Sequence, residues 1–419
     1  MRILILSKEG DGVSIAYKLS TEGHAVDLWI EHPDQRDMLK GFVNRVDAWR
    51  PHVSKADLII CDMVGMSKHL ELFQRLGKPT LCCNEMADAL ELNRRLGMQI
   101  FQKLGINIPT TQYFKTSKEA ASLKWKCPSG YVVKASGNLD CSKTYVCDNE
   151  EIYQWALTTM QKGKDFVVQE VVSSADTIEV STEGWFNGTG WISPFNHTWE
   201  EKRHMPGAIG KMTGCMGNVV LATDKPSRLA QETVIKLAPL LAKSGYRGPM
   251  DVNCIVAKDK LYALEFTARF GFDAFEALMT GLNEPVGGFL FDVALGVKKE
   301  MDIRRDFLIA ISVIRDPYPF VEPKEVKEPD KGMPITGITA LDSKFIYLCD
   351  VMKDANQIKY AAGSGIVYKA TAFGRSVDEA QHRAYRICKN VKSIDLAYRN
   401  DIGKRVPNDL KRLREWGWL

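Results

Sequence analysis

No two cysteines in this chain are spaced as CxxC and no two histidines as HxH or HxxxH, so neither common zinc-ligand pattern is present. The ten cysteines are scattered, several in apolar runs such as LIIC and LCC, where a free thiol behaves as a small hydrophobe. They predict a reducing, cytoplasmic setting and no disulfide framework. No apolar run approaches the roughly 18 residues that span a bilayer. The opening MRILILSKEGDG has one basic residue ahead of a short apolar stretch, and reads as a buried first strand, not a signal peptide. Neither sign of charge dominates: 56 basic against 52 acidic residues give +4, with no basic stripe. That balance argues against nucleic acid or a membrane surface as partner. Internal repeats and low-complexity tracts are also lacking. What remains is an ordinary globular composition, 45% hydrophobic and 26% charged over 419 residues, enough for about three domains at roughly 100 to 200 residues each.

Short apolar strands alternate with amphipathic helices at the start: RILIL, a helix over 14–22, AVDLWI, ADLIIC, a helix over 68–76 and PTLCC. This order predicts a parallel sheet with helices on its faces. Between the first strand and helix, Ser7 to Gly12 form a glycine-bearing loop at a helix N-terminus, where free amides can face a phosphate; Gly10 and Gly12 are the candidate contacts. A tight turn is the plainer reading of the same residues. A helix over 90–104 ends at Gly105, a fitting C-cap. From Tyr131 to Trp185 the pattern becomes β-rich around one helix, a unit small enough to act as a lid. A helix over 228–242 precedes the strands PMDVNCIV and KLYALEFTA, joined by the turn 257–260. The Pro- and charge-rich stretch 316–334 reads as a loop opening a last domain with the helix 378–389.

Asp251 and Glu265 lie on the two strands of that late hairpin, with Arg269 nearby. Two carboxylates converging from neighbouring strands supply hard oxygen ligands for magnesium, and the guanidinium meets an anion. Solvated positions on an edge hairpin are the alternative, but the apolar neighbours Val252, Leu264 and Phe266 imply that these charges need partners. Lys134, at the end of YVVK ahead of Gly137 and Lys143, can reach nucleotide phosphates, or simply extend to solvent. In VVQEVV, Glu170, Val171 and Val172 can offer groups to an adenine edge, and Asp176 or Glu179 can accept from ribose hydroxyls. The glycines between 210 and 217 allow backbone amides to meet a small amino acid, or form a surface turn.

Lysine, hinge, carboxylate and metal pair, in that order, resemble the ATP-grasp superfamily. Over nearly the whole chain the sequence resembles the phosphoribosylamine–glycine ligase (glycinamide ribonucleotide synthetase) family. The resemblance rests on VVKASG with Lys134, VVQEVV, Thr213-Gly214-Cys215-Met216-Gly217 against TGGMG, and LEFTARFG against EFNCRFG. It rests also on the C-terminal TAFGRSVDEAQHRAYRICKNV followed by Arg399-Asn400-Asp401-Ile402-Gly403. It implies an α/β ATP-grasp fold: an N-terminal doubly wound domain (1–95), an ATP-grasp domain (96–305) with a mobile α+β lid over about 118–180, and a small C-terminal domain (306–419). It further implies an ATP-dependent ligase of small molecules, monomeric or homodimeric, that uses magnesium, with manganese also possible, and joins glycine to phosphoribosylamine through an acyl phosphate. In its terms Lys134 and Lys143 hold phosphates, Glu170, Val171, Val172 and Glu179 hold the nucleoside, and Arg269 and Lys134 serve the chemistry. Residues 213–217, with Gly10 and Gly12, hold substrates, and Glu265, Asp251 and Thr267 hold the metal. The chain departs from the family where Thr267 replaces an asparagine, Cys215 a glycine, SKEGDG the loop GNGGREH, and Cys61-Asp62-Met63-Val64-Gly65 the GPE segment. A different acceptor amine, or a non-catalytic ATP sensor, remains open at this point.

Overall fold

The computed structural model describes residues 1–135, 144–160, 165–172, 176–315, 318–319 and 330–419. Its first strand, Arg2–Ser7, carries Ile3, Leu4, Ile5 and Leu6 at 0% exposure, because a central parallel strand is covered on both faces. Four parallel neighbours complete the sheet in the order Asn44–Arg45, Ala25–Ile30, Arg2–Ser7, Leu58–Cys61, Thr80–Leu81. The strand order reverses between Arg2–Ser7 and Leu58–Cys61. Crevices at the carboxyl ends of such a pair are where open α/β sheets bind ligands.

The expected single helix at 90–104 is two, Glu85–Leu92 and Arg94–Lys103. Asn93 breaks them apart and caps the second, its side chain accepting from the Leu96 amide at 3.0 Å. Gly105, at φ +65°, ends it as anticipated. The stretch read as one helix over 228–242 is likewise broken: Arg228–Glu232, a 3-10 turn Val234–Leu237, and Ala238–Ser244. Pro239 lies in the first turn of the last of these, the helical position where a missing amide costs least.

The lid is a four-stranded antiparallel sheet, ordered Thr111–Phe114, Phe166–Glu170, Tyr131–Ala135, Thr144–Cys147. The helices Ser117–Ala121 and Glu150–Thr159 cover one face of it. It has its own core, built on Tyr131, Val133, Tyr153, Leu157, Phe166 and Val168, separate from the main one. The main sheet is antiparallel along Leu261–Thr267, Arg247–Val256, Ile178–Asn187, Trp191–Glu200, Gly217–Thr223, Phe307–Arg315, Ile366–Gly374 and Ile346–Leu348. It therefore runs without interruption across position 306, where the last domain is expected to start. Among the described residues no helix is long and apolar enough to cross a membrane, and the described cysteines are all unpaired.

Residues directly opposed in a sheet share a face. Thr267 opposes Asp251, which opposes Glu183, which opposes Asn196. Glu265 opposes Asn253, which opposes Ser181. Further along, Glu200 opposes Asn218, and Ser312 opposes Lys369. A polar band thus crosses one face of the main sheet, while Val252 and Cys254 alternate into the apolar core on the other.

Candidate nucleotide and metal site

The hairpin turn brings Asp251 and Glu265 to one face, as the sequence suggests, closed by the Ala257 amide on the Lys260 carbonyl at 2.8 Å. Glu265 is not a bare carboxylate. Arg94 pairs with it at 3.0 Å and Lys202 at 3.6 Å. Burial alone would raise its pKa, but the charges of Lys202, Lys134 and Arg94 outweigh that and hold the carboxyl far below the usual range. Lys202 also reaches Glu179 and Glu200, each at 3.4 Å. These three carboxylates overcome the burial that would lower it, and its ammonium titrates well above the ordinary lysine value. Lys134 is 8% exposed; burial brings it down to about 8 against the opposing pull of Glu265. A lysine poised in this way gains most when polyphosphate arrives to share its charge.

Asp251 is 9% exposed, and burial, helped by the charges of Glu200 and Glu183, pushes it well above the carboxylate range. Glu183 is raised to about 7, chiefly by burial. A buried acidic face of this kind favours a cation. Asn253, 4% exposed between Glu265 and Ser181, has a side-chain carbonyl oxygen with no hydrogen-bond partner. Among the described residues no group of three or more His, Cys, Asp and Glu is gathered as a metal cluster. The donors on offer here are two carboxylates, the Asn253 amide and the Thr267 hydroxyl. An orphaned amide oxygen beside two carboxylates is the all-oxygen set that magnesium takes, so the residues present fit the ion.

Arg269 is held by Glu91 at 3.0 Å and lies over the Phe272 ring at 4.3 Å. Of the two ribose candidates, Glu179 points into the Lys202 cluster, whereas Asp176 is 88% exposed and 3.5 Å from Arg412. Glu170 ends its strand half-buried, and the Val171 amide is committed to the Gly130 carbonyl, so it does not await adenine. Val172 follows directly. Lys143, Gly137 and the loop around them lie outside the described residues.

The stretch 210–217 is not a loose turn. Ile209–Met212 forms a hairpin with Arg203–Met205. Thr213 and Met216 give their amides to the carbonyls of Lys202 and Glu201. Gly217 packs so closely that a Cβ there would come within 2.7 Å of the Ala310 carbonyl. Gly214, exposed and with Phe272 against it, is left as the part of 213–217 able to meet a substrate, since Cys215 is buried with its thiol donating to the Gly217 carbonyl.

The anion cradle expected at Gly10 and Gly12 is not formed. The Gly10 amide goes to Ser7 Oγ at 2.9 Å, and the Gly12 amide to Asp62 Oδ2 at 2.6 Å. Asp62 takes both the place and the Gly12 amide that an anion would use, its carboxyl raised to about 7 by burial and the charge of Asp11. Arg94, Lys202, Glu200, Glu183 and Asn253 went unnoticed in the sequence. Lys202 sits in the charge run Glu200-Glu201-Lys202, which looks like a solvated surface, and Arg94 beside Arg95 looks the same.

Lid, polar sheet face and lysine-framed carboxylates are laid out as in the ATP-grasp fold. Residues 93–274 match the family described as phosphoribosylglycinamide synthetase, ATP-grasp (A) domain. The chain is similar to phosphoribosylamine–glycine ligase of Streptomyces coelicolor, 24% identical over 70% of this chain and 78% of that one. The enzyme of the same name from Clostridium acetobutylicum is 26% identical over 71% of this chain and 72% of the other. The crystal structure of phosphoribosylamine–glycine ligase from Thermotoga maritima superimposes with a TM-score of 0.72 at 21% identity, covering 96% of this chain and all of that one.

Proposed function

We propose that this protein is an ATP-dependent carboxylate–amine ligase of the phosphoribosylamine–glycine ligase type, forming an amide with release of ADP and phosphate. The observation that carries the reading is the meeting of Glu265, Asp251 and Asn253 on one sheet face beside Lys134, Lys202 and Arg94. Carboxylate and triphosphate repel each other, so a ligase must neutralise both before the carboxylate oxygen can attack the γ-phosphorus. In this reading Lys134 neutralises the inner phosphates and Arg269, paired with Glu91, the transferring group. Glu179 can accept from the ribose. Glu265, Asp251 and Asn253, with Thr267 beside them, would hold magnesium or manganese. When bound, such an ion neutralises phosphate charge. The amine then attacks the acyl carbon, and phosphate leaves with the carbon–oxygen bond pair as the amide forms. In this reading the lid sheet, with its strands Thr111–Phe114, Tyr131–Ala135, Thr144–Cys147 and Phe166–Glu170, excludes water that would hydrolyse the intermediate. Glycine as the acid and a primary amine as acceptor follow from the likeness to the ligases named above.

The test is ADP release with ATP, glycine and phosphoribosylamine, compared with Glu265→Gln. The variant keeps the shape but loses the charge that faces three cations. A fall in turnover of roughly 100-fold or more is expected, on the scale of removing one preorganised electrostatic contact. Unchanged turnover would sink the reading. A second reading, in which the acid is joined to another amine, is favoured by Asp62, which stands where the amine's phosphate would be expected.

A further inference from the structure

Between Arg269 and the helix Ala274–Gly281 the chain turns back on itself within three residues. The Ala274 amide donates to the Phe272 carbonyl at 2.6 Å, closing a γ-turn about Asp273, whose φ of +59° and ψ of −31° strain any residue but glycine. Such a conformation persists only where its surroundings over-determine it. Here they do. Asp273, 1% exposed, accepts from Ser312 Oγ at 2.8 Å and pairs with Lys369 at 3.1 Å. Asn218, fully buried, donates to the Phe272 carbonyl at 3.2 Å. Three strands of the main sheet, Gly217–Thr223, Phe307–Arg315 and Ile366–Gly374, therefore pin this turn.

What the turn presents is the Phe272 ring. The main hydrophobic core takes in Phe270 and Phe275 on either side but not Phe272, which stays half-buried. The Arg269 guanidinium lies over the ring at 4.3 Å. A Cβ placed on Gly214 would stand 3.0 Å from Phe272 Cδ2 and 3.2 Å from Cε2, closer than ordinary packing allows. Ring and glycine thus lie in contact and form one wall beside the guanidinium. A strained backbone that holds a bulky apolar side chain outside the core marks a position kept for function.

We infer that Phe272 sets the size of the acid substrate: the amino acid lies in the corner bounded by Arg269, Phe272 and Gly214, and the ring fills the space that its side chain would need. The inference rests on the ligase reading and names the residue that selects its first substrate. Glycine fits, because its α-carbon carries only hydrogens. Alanine adds a methyl group that meets the ring, and the ring cannot retreat while three strands pin its backbone. Selection of this kind is bounded, since one methyl or methylene group in an apolar pocket discriminates by about 10- to 200-fold.

ADP release by the intact protein with ATP and, in turn, glycine, L-alanine, D-alanine and L-serine tests this in wild type, Phe272→Ala and Phe272→Leu. Phosphoribosylamine serves as the amine in one series, and hydroxylamine, which traps an acyl phosphate, in a second. Wild type is expected to favour glycine over both alanines by about 10- to 200-fold in kcat/KM. Phe272→Ala should remove most of that difference, chiefly by lowering KM for alanine, with Phe272→Leu between the two. Loss of the ring also frees Arg269 and slows every acid alike, so the ratio of alanine to glycine is the readout; a purely structural residue would leave it unchanged. The inference is overturned if Phe272→Ala turns over both acids in the wild-type ratio, or if wild type uses either alanine as well as glycine. Should Phe272→Ala not fold, Phe272→Leu and the wild-type series decide. If wild type releases no ADP with any acid in either series, the ligase reading falls and the inference with it, whereas activity with an unaltered acid preference in the variants strikes the role of Phe272 alone.

Discussion

Glu265 pairs with Arg94 and Lys202 and feels the charge of Lys134, so its negative charge is the pivot of the candidate site. Thr267, on the same strand, offers only a hydroxyl where the family has an amide. The structure supplies an amide from the neighbouring strand instead, through the unpartnered carbonyl of Asn253. The prediction at this scale is an exchange of ligands. Asn253→Ala should raise the magnesium concentration needed for half-maximal ADP release by about tenfold, the loss expected when one polar contact of roughly 1 to 2 kcal/mol disappears. Adding Thr267→Asn to that variant should recover much of it. A magnesium titration of both would show whether Asn253 is a ligand; equal requirements in wild type and Asn253→Ala would rule it out. Asp251 and Glu265 were legible in the sequence because each is a charge within an apolar strand. Asn253 was not, because a polar residue at a strand position carries no sign that its oxygen lacks a partner. Asp62 was noted only as a departure, since its bonds to Ser7 and Gly12 join parts of the chain some 50 residues apart.

Strands, turns and capped helices were legible wherever alternation, turn chemistry or a cap fixed them: the strand Arg2–Ser7, the hairpin turn at 257–260, and the helix Val377–Asn390, capped by Ser376. Helix breaks at Asn93 and Thr233 were missed because apolar spacing continues through them while the backbone does not. The lid was recognised as a unit by its β-rich pattern, and its separate core explains why it can be treated as one. Phe166 is 1% exposed at the centre of that core, on the strand that leads to Glu170. Phe166→Ala should therefore cost the lid about 3 to 5 kcal/mol. The damage should stay local, because few lid side chains pack into the main core. Hydrogen exchange should rise across 111–170 with the strand Gly217–Thr223 unaffected, and ATP affinity should fall with it. Uniform acceleration through both regions would mean that the lid is not an independent packing unit.

At the scale of the whole molecule, the C-terminal residues that carried part of the family likeness hold the segment around Lys202 in the candidate nucleotide site. Arg399, 1% exposed, pairs with Glu201 at 3.1 Å and Asp401 at 2.8 Å, and donates to the Arg203 carbonyl at 2.8 Å. Arg405 holds the other oxygen of Glu201 at 3.0 Å and the Glu179 backbone carbonyl at 3.1 Å. Two guanidiniums thus grip the residues on either side of Lys202, the lysine that joins Glu179, Glu200 and Glu265. The sequence displays Arg399 to Gly403 as a motif, but not that it reaches across some 200 residues to this segment. Arg399→Ala leaves Glu201 with Arg405 alone and Asp401 with only the Gly207 amide, so breaking this buried pair should cost about 3 to 5 kcal/mol by urea unfolding. A purely structural arginine would lower stability alone. Because Lys202 sits between the gripped residues, Arg399→Ala should also raise KM for ATP while leaving that for the amine nearly unchanged. Arg405→Lys, which keeps a charge beside Glu201 but loses the fork that spans Glu201 and Glu179, should show the same asymmetry more weakly. Normal KM for ATP in a destabilised but folded Arg399→Ala would confine the C-terminal segment to holding the fold.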